Sequence, residues 1–342
     1  MAMADSQILQ PDAELHSVVY RGENDAAYEE LVRLADLVGV GITRIAGSDR
    51  QDGVLRFSTQ NTPEKYVKAE FHPLFAQYFA AGSVLLNYRT ESEQILELLV
   101  AVGATMRGKV LGILGAHGGA GVSHLAAWIA RTLAKNETSV ALLDLDPFSA
   151  GIELLISGVG LPGKRWPDLH GSGALLAGRL NAALPRWNGV RVLSADERGA
   201  APETGNLATN AVAALSQLNA WSVLDLPRSA LVTASPSHQL LEWCDYLLLL
   251  TRSDAIHLAA THSLLARFEH QCPMSIVACG VTAKSEAAHI SQMLAVPAVF
   301  TVRFDKSERA ALEHGVSPGD RIRTKYARDV AQICAYIENQ LQ

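Results

Sequence analysis

The fold turns on one stretch, KVLGILGAHGGAGVSHLAAWIARTLAKNETSVALLDLD, residues 109–146. Lys109 to Leu114 is an apolar run of strand length, and Gly115 to Gly121 is a glycine-rich loop. Ser123 to Lys135 sets Leu125, Ile129 and Leu133 on one face at helical spacing, and Ser139 to Asp146 reads as a second buried strand. Strand, loop, helix and strand make a βαβ unit, whose parallel strands need helices on both faces of the sheet. Later apolar runs at Val190 to Leu193, Trp221 to Leu226, Tyr246 to Leu250, Met274 to Cys279 and Val299 to Val302 extend that sheet. The expected architecture over residues 105–342 is a doubly wound, mostly parallel α/β fold.

A glycine loop between a strand and a helix brings backbone N–H groups and a helix N-terminus to one point, where they can surround an anion. Such a loop alone can be a tight turn. Its position, and the Asp144-Leu145-Asp146 strand end that follows, make it a candidate phosphate site. The candidate contacts are Gly118, Gly119, Ala120, Gly121, Val122, Ser123 and His124, with Asp144, Asp146 and Asp225 at the carboxyl edge of the same sheet. No lysine lies in the loop. Lys109 starts the strand, about 20 Å away at ~3.3 Å per residue. Arg228, Arg252 and Arg303 each follow a strand and are expected to face the ligand crevice, where a guanidinium can stand in for the missing ammonium.

The loop resembles the deviant Walker A motif of the MinD/ParA family, which reads G-K-G-G-x-G-K-T. His117 stands at the signature lysine, Val122 stands at the lysine that contacts the β and γ phosphates, and Ser123 keeps the hydroxyl that holds magnesium. The resemblance implies that Asp144 and Asp146 orient water or magnesium and that Asp225 is the Walker B acid. It further implies ATP and magnesium as cofactors and a homodimer as the working form. A positive charge on the transferring phosphoryl group can be worth about 10³ to 10⁵ in rate. Valine supplies none, and an imidazole with an ordinary pKa near 6.5 is mostly neutral at pH 7. The expected result is a nucleotide-binding switch with weak or absent hydrolysis. One alternative is a slow ATPase that uses an arginine, and another is a nucleotide-free scaffold.

Three further segments, Arg165-Trp166-Pro167-Asp168-Leu169, Ala183-Leu184-Pro185-Arg186 and Val190-Arg191-Val192-Leu193-Ser194, resemble the CpaE/TadZ-like branch, also called septum-site determining proteins. That resemblance spans Lys109 to the C-terminus. It implies a positioning or assembly role at a pole or septum, beside a secretion or pilus ATPase of the Tad/Flp type. Trp166 is readable either as an exposed partner anchor or as a buried lid.

Residues 1–104 read as a smaller α/β domain, with an apolar run at Val18 to Tyr20, a helix from Asp25 to Leu37, runs at Ile42 to Ile45 and Val84 to Asn87, and a helix through Val102. The rhythm is receiver-like, but the strand-end aspartate that phosphorylation needs is missing, so a docking or dimerisation domain is expected. Phe57, Tyr66, Phe71, Phe75 and Phe79 show no clean period, which leaves Gly53 to Ala81 unassigned.

The chain has 342 residues and 49% hydrophobic content, enough for more than one core. Its net charge of -6 argues against broad, sequence-independent DNA binding. Arg321, Arg323, Lys325 and Arg328 read as a solvated face. No apolar run reaches the ~20 residues of a membrane span. Met1 to Glu14 lacks the apolar core of a secretory signal, and cytoplasmic residence is expected. Cys244, Cys272, Cys279 and Cys334 form no C-x-x-C pair, so buried thiols are expected. His257 and His262, five apart, diverge on a helix and do not suggest a metal pair. The last helix, from Tyr326 to Leu341, aligns Val330, Ile333, Cys334 and Ile337 on one side and is expected to pack onto the domain.

Overall fold

A computed structural model describes residues 15–45, 52–71, 83–105, 107–136, 138–156, 160–169, 175–268, 272–281, 284–297, 299–303 and 306–341. Met1 to Glu14, with the expected lack of a secretory signal, and Phe75 and Phe79 of the unassigned segment lie outside these residues. The chain separates into two compact units, one ending at Met106 and including Leu176–Gly178, the other formed by Arg107–Leu175 and Arg179–Gln342.

The first unit runs β1 (Leu15–Arg21), α1 (Asp25–Val38), β2 (Ile42–Ile45), β3 (Asp52–Ser58), β4 (Tyr66–Phe71), β5 (Ser83–Asn87) and α2 (Ser92–Thr105). The α1 helix starts where the Asn24 side chain accepts the Ala27 N–H, and it ends at Gly39 with φ 81°. Both are expected terminators, an Asx cap and a left-handed glycine. Leu31 and Leu34 of α1 and Ile95 and Leu99 of α2 are buried in one core with Val18, Leu55 and Phe57 of the sheet.

The strand order β2-β1-β3-β4-β5 is that of receiver-like folds. The strand directions are not: β3 with β4 and β4 with β5 pair antiparallel. The receiver-like expectation therefore holds for the order and for the parallel β2-β1-β3 core, and fails for the second half of the sheet. The unassigned segment supplies β3 and β4. In β3 the consecutive residues Gly53, Val54 and Leu55 are all buried, so no alternation announces the strand.

The second unit continues with β6 (Lys109–Gly115), α3 (Val122–Leu133), β7 (Val140–Asp144), α4 (Glu153–Ile156), α5 (Ala177–Ala183), β8 (Arg186–Trp187), β9 (Val190–Leu193), α6 (Leu207–Leu218), β10 (Trp221–Asp225), β11 (Tyr246–Arg252), α7 (Ala255–Leu265), β12 (Met274–Cys279), α8 (Lys284–Leu294), β13 (Val299–Val302), α9 (Lys306–Glu313) and α10 (Lys325–Gln340). The sheet order is β13-β12-β11-β6-β10-β7-β9-β8. All its pairs are parallel except β8 with β9. This is the expected doubly wound α/β architecture. The antiparallel β8 is added through a two-residue Asn188-Gly189 turn with φ 46° and 93°, the left-handed pair that closes a tight hairpin.

The chain leaves β6 toward β7 on one side and later returns to β11 on the other, so the order reverses at β6. Ligands in such sheets bind beyond the carboxyl ends of the strands at this reversal. Gly112 lies in the middle of β6, where an added Cβ would come within 2.6 Å of Leu247 and 2.7 Å of the Cys244 sulfur. Leu247 of β11 and Cys244, just before that strand, leave no room there for a side chain. The last helix, α10, packs on α3 and buries Val330, Ile333, Cys334 and Ile337, as its apolar stripe indicated. Among the described residues no helix is long and apolar enough to cross a membrane. Cys244 and Cys334 are buried, whereas Cys272 and Cys279 are half-buried, and all four are free thiols.

Candidate functional site

At the carboxyl end of β6 the Ala116 N–H donates to the Leu250 carbonyl at 2.9 Å, which fastens the loop entry to β11. Gly119 and Gly121 take φ values of 70° and 93°, conformations that glycine adopts without steric cost. The α3 helix starts directly after Gly121, and no side chain caps its first turn. The leading N–H groups of a helix have no partner inside it. Here they border a cleft of about 450 Å³. An added Cβ on Gly118, Gly119 or Gly121 would meet nothing within 4 Å, so protein atoms do not fill the space before the loop.

Of the residues proposed from sequence, Gly118, Gly119, Ala120, Gly121, Val122, Ser123, His124, Asp146, Asp225 and Arg228 all line this one cleft. Asp144 does not. Its carboxylate is buried and accepts the Ser149 hydroxyl at 2.7 Å and the Ile152 N–H at 3.0 Å. It closes the turn after β7, and the reading of Asp144 as a ligand or water contact is corrected to that of a loop tie. Ser149, Gly151, Ile152 and Leu155, which that tie brings to the cleft wall, were not singled out from sequence. Gly151 carried the only local signal. It has φ 105°, and a Cβ there would meet the Ala195 carbonyl oxygen at 2.5 Å.

Two of the three arginines are also corrected. Arg303 pairs with Asp329, its Nε 2.9 Å from Oδ2, and so joins the end of β13 to α10 instead of facing the cleft. Arg252 lies 3.3 Å from Asp254 and is not part of the cleft wall. Arg228 is exposed and lines the cleft, and among the described residues no ion pair engages it.

The acids have distinct settings. The Asp225 carboxyl is pushed up to about 8, first by burial and then by the Asp144 charge beside it in the parallel register, while a hydrogen bond from Ser123 opposes the shift. The Ser123 hydroxyl, the Asp225 carboxyl and Asp146 on the facing loop offer the hard oxygen donors that magnesium takes, and a divalent cation there would offset the repulsion among the acids. The residues present fit the metal. Metal-free Asp225 holds a proton at neutral pH. Between its ordinary 3.8 and about 8 the folded chain binds this proton and the unfolded chain does not, so the group destabilises the fold progressively as pH rises through that window. Asp225→Asn is therefore expected to raise the melting temperature of the metal-free protein at pH 8.5 by roughly 5 °C or more and by about a third as much at pH 5. Thermal unfolding of the two proteins at both pH values checks this, and equal shifts at both would contradict it.

The cleft wall is braced from behind. Trp166 is fully buried, and its indole N–H donates to the Asp144 carbonyl at 2.6 Å, so the exposed-anchor reading gives way to that of a packed brace. Beside it, Arg165 donates to Glu153 of α4 at 2.7 Å and to the carbonyls of Gly163 and Leu161. Arg198 grips Asp168 at 2.7 and 3.0 Å. The segment Arg165 to Leu169 thus holds the loop after β7 in place.

No family model matches the chain. The Uncharacterized protein Rv3660c of Mycobacterium tuberculosis (strain ATCC 25618 / H37Rv) is 32% identical over 247 residues, covering 69% of this chain and 67% of that protein. The Uncharacterized protein MT3760 of strain CDC 1551 / Oshkosh matches with the same figures. The chain belongs to the family of these two mycobacterial proteins. Its second unit has the MinD/ParA fold. A ParA family ATPase from Chlorobium tepidum TLS superposes with TM-score 0.54 at 15% identity, covering 68% of this chain and 99% of the other. A chain of the MinC:MinD cell division protein complex from Aquifex aeolicus gives 0.52 at 12% identity, with 68% and 96% covered. The Pyrococcus furiosus cell division ATPase MinD gives 0.50 at 18%, with 68% and 99% covered. At these identities the likeness is one of fold.

Proposed function

We propose that this protein is a nucleotide-responsive positioning or assembly switch of the MinD/ParA type that binds ATP and magnesium weakly and hydrolyses ATP slowly or not at all. One observation carries the reading: an open, glycine-lined cleft at the sheet reversal is bordered by Val122, the residue that stands at the family's lysine in the motif resemblance. The cradle is retained and the charge that drives cleavage is not. Gly118 to His124 hold the phosphates, Ser123, Asp146 and Asp225 hold the metal, and Arg228 is a cation on the cleft wall. Residues 105–342 form the nucleotide domain, and residues 1–104 dock a partner or a second copy. The segments around Trp166 and Val190 support the CpaE/TadZ-like branch, which places the protein at a pole or septum beside a Tad/Flp-type pilus or secretion ATPase. MinD, which the fold resembles, is found with MinC in a cell division complex.

Calorimetry of the whole chain with ATP and magnesium tests the reading. Weak saturable binding is expected, and Arg228→Ala should weaken it about tenfold or more, since a hydrogen bond to a charged group contributes about 1.5–3 kcal/mol. Complete absence of binding would leave only a scaffold. A slow ATPase is the second reading, favoured by Arg228, which no ion pair engages among the described residues, and turnover abolished by Arg228→Ala and by Asp146→Ala would select it.

A further inference from the structure

His117 lies in the wall of the cleft, and both nitrogens of its ring are engaged by the protein. Its Nε2 accepts the backbone N–H of Arg252 at 3.0 Å, so its Nδ1 carries the proton and donates to the Gly118 carbonyl at 3.1 Å. The ring lies against His257 of α7, centroid to centroid 4.0 Å. His257 is itself held by Asp254, its Nδ1 2.6 Å from the carboxylate oxygen, and Asp254 caps α7 by accepting the His257 N–H. The loop is thereby tied to the end of β11 and the start of α7 through a neutral imidazole that uses one nitrogen as donor and the other as acceptor.

Only the neutral ring can do this. A proton on Nε2 turns the acceptor into a donor facing the Arg252 N–H, a contact with no attractive form. The groups around the ring are the His257 imidazole, the Arg252 guanidinium, the Asp254 carboxylate and the Gly118 carbonyl. Burial lowers the affinity of His117 for a proton, the Gly118 carbonyl opposes this, and His257 and Arg252 add to the lowering against Asp254.

We propose that His117 is a proton-operated latch on the glycine loop: neutral, it ties the loop to Arg252 and His257, and protonated, it releases them and presents its charge to a phosphate in the cleft. The part of this concerning phosphate rests on the nucleotide-binding reading above. Its consequence is an affinity for phosphorylated ligands that rises on acidification through a residue that at neutral pH only staples the loop.

Two measurements on the full chain test it separately. Histidine NMR should find His117 as the Nδ1–H tautomer, and the Arg252 amide signal should move with the titration of His117. An Arg252 amide that ignores this titration overturns the latch whether or not nucleotide binds. Calorimetry with ATP and magnesium at pH 7.5, 6.5 and 5.5 then compares wild type with His117→Gln and His117→Lys. The wild type should gain about tenfold more affinity on acidification than His117→Gln, the size of one charge-assisted hydrogen bond, and His117→Lys should bind tightly at every pH. The glutamine variant retains every other titrating group of the cleft, Asp225 and His124 included, so an equal pH slope in it overturns the phosphate contact. Failure of all three proteins and of Val122→Lys to bind would instead overturn the nucleotide reading, and with it the phosphate contact, while the NMR result still decides the loop tie.

Discussion

Val122→Lys is expected to raise the affinity of the protein for ATP and magnesium by about ten- to a hundredfold. Val122 is the first residue of α3 and lines the cleft, half-exposed, directly after the left-handed Gly121. A lysine there would extend from the same backbone whose N–H groups border the cleft, and its stem can lie along the apolar surface of Ile152 and Leu155, which also line it. A charge-assisted hydrogen bond contributes about 1.5–3 kcal/mol, which is that range of affinity. Hydrolysis should respond more strongly than binding, because charge on the phosphoryl group matters most in the transition state. Calorimetry and a phosphate-release assay read the two effects. Unchanged affinity would mean that the loop no longer shapes a phosphate site, and the switch reading would fail with it.

Glu153→Ala is expected to destabilise the second unit by about 3–5 kcal/mol, the cost of leaving a buried charge without its partner. Arg165 and Glu153 side chains are only 8% and 11% exposed, and their nitrogen and oxygen lie 2.7 Å apart. Burial raises the pKa of Glu153, and the hydrogen bond from Arg165 and its charge work against that shift. The pair is therefore not a stabilising addition to a core that would otherwise hold. It is a demand that each partner makes on the other. Arg165 would still donate to the Gly163 and Leu161 carbonyls, which sets the lower end of the range. Glu153→Gln, which keeps an acceptor, should lose about half as much. Urea unfolding of the three proteins measures this, and a Glu153→Ala loss under about 1 kcal/mol would show that water reaches the guanidinium. Glu153 starts α4 directly after the cleft-lining Ile152, so the alanine variant should also weaken nucleotide binding, whereas a remote core defect of equal cost should not.

The residues that sequence placed best are those whose role is local. The loop of residues 115–121 and the start of α3 could be read because glycine spacing and helical periodicity are properties of a short stretch, and every loop residue chosen from it lies on the cleft. Asp225 was legible for a related reason: it ends an apolar run, and the end of a parallel strand faces the ligand side. Asp144 ends such a run too, yet its partners Ser149 and Ile152 turn it inward, and no spacing rule distinguishes it from Asp146 two residues on. The Asn188-Gly189 hairpin and β8 had a plain turn signal that the reading of longer runs passed over.

The sequence by itself determined the βαβ core, the absence of lysine from the glycine loop, and the carboxyl edge where the acids gather, because each follows from the order and chemistry of neighbouring residues. Only the tertiary structure decided that Arg228 faces the cleft while Arg303 is held by Asp329, that Trp166 is a brace, and that His117 is tied to Arg252 and His257. Those outcomes depend on which side chains from distant parts of the chain reach the same point. A strand end specifies where a charged group starts, but the partner that holds it comes from another element.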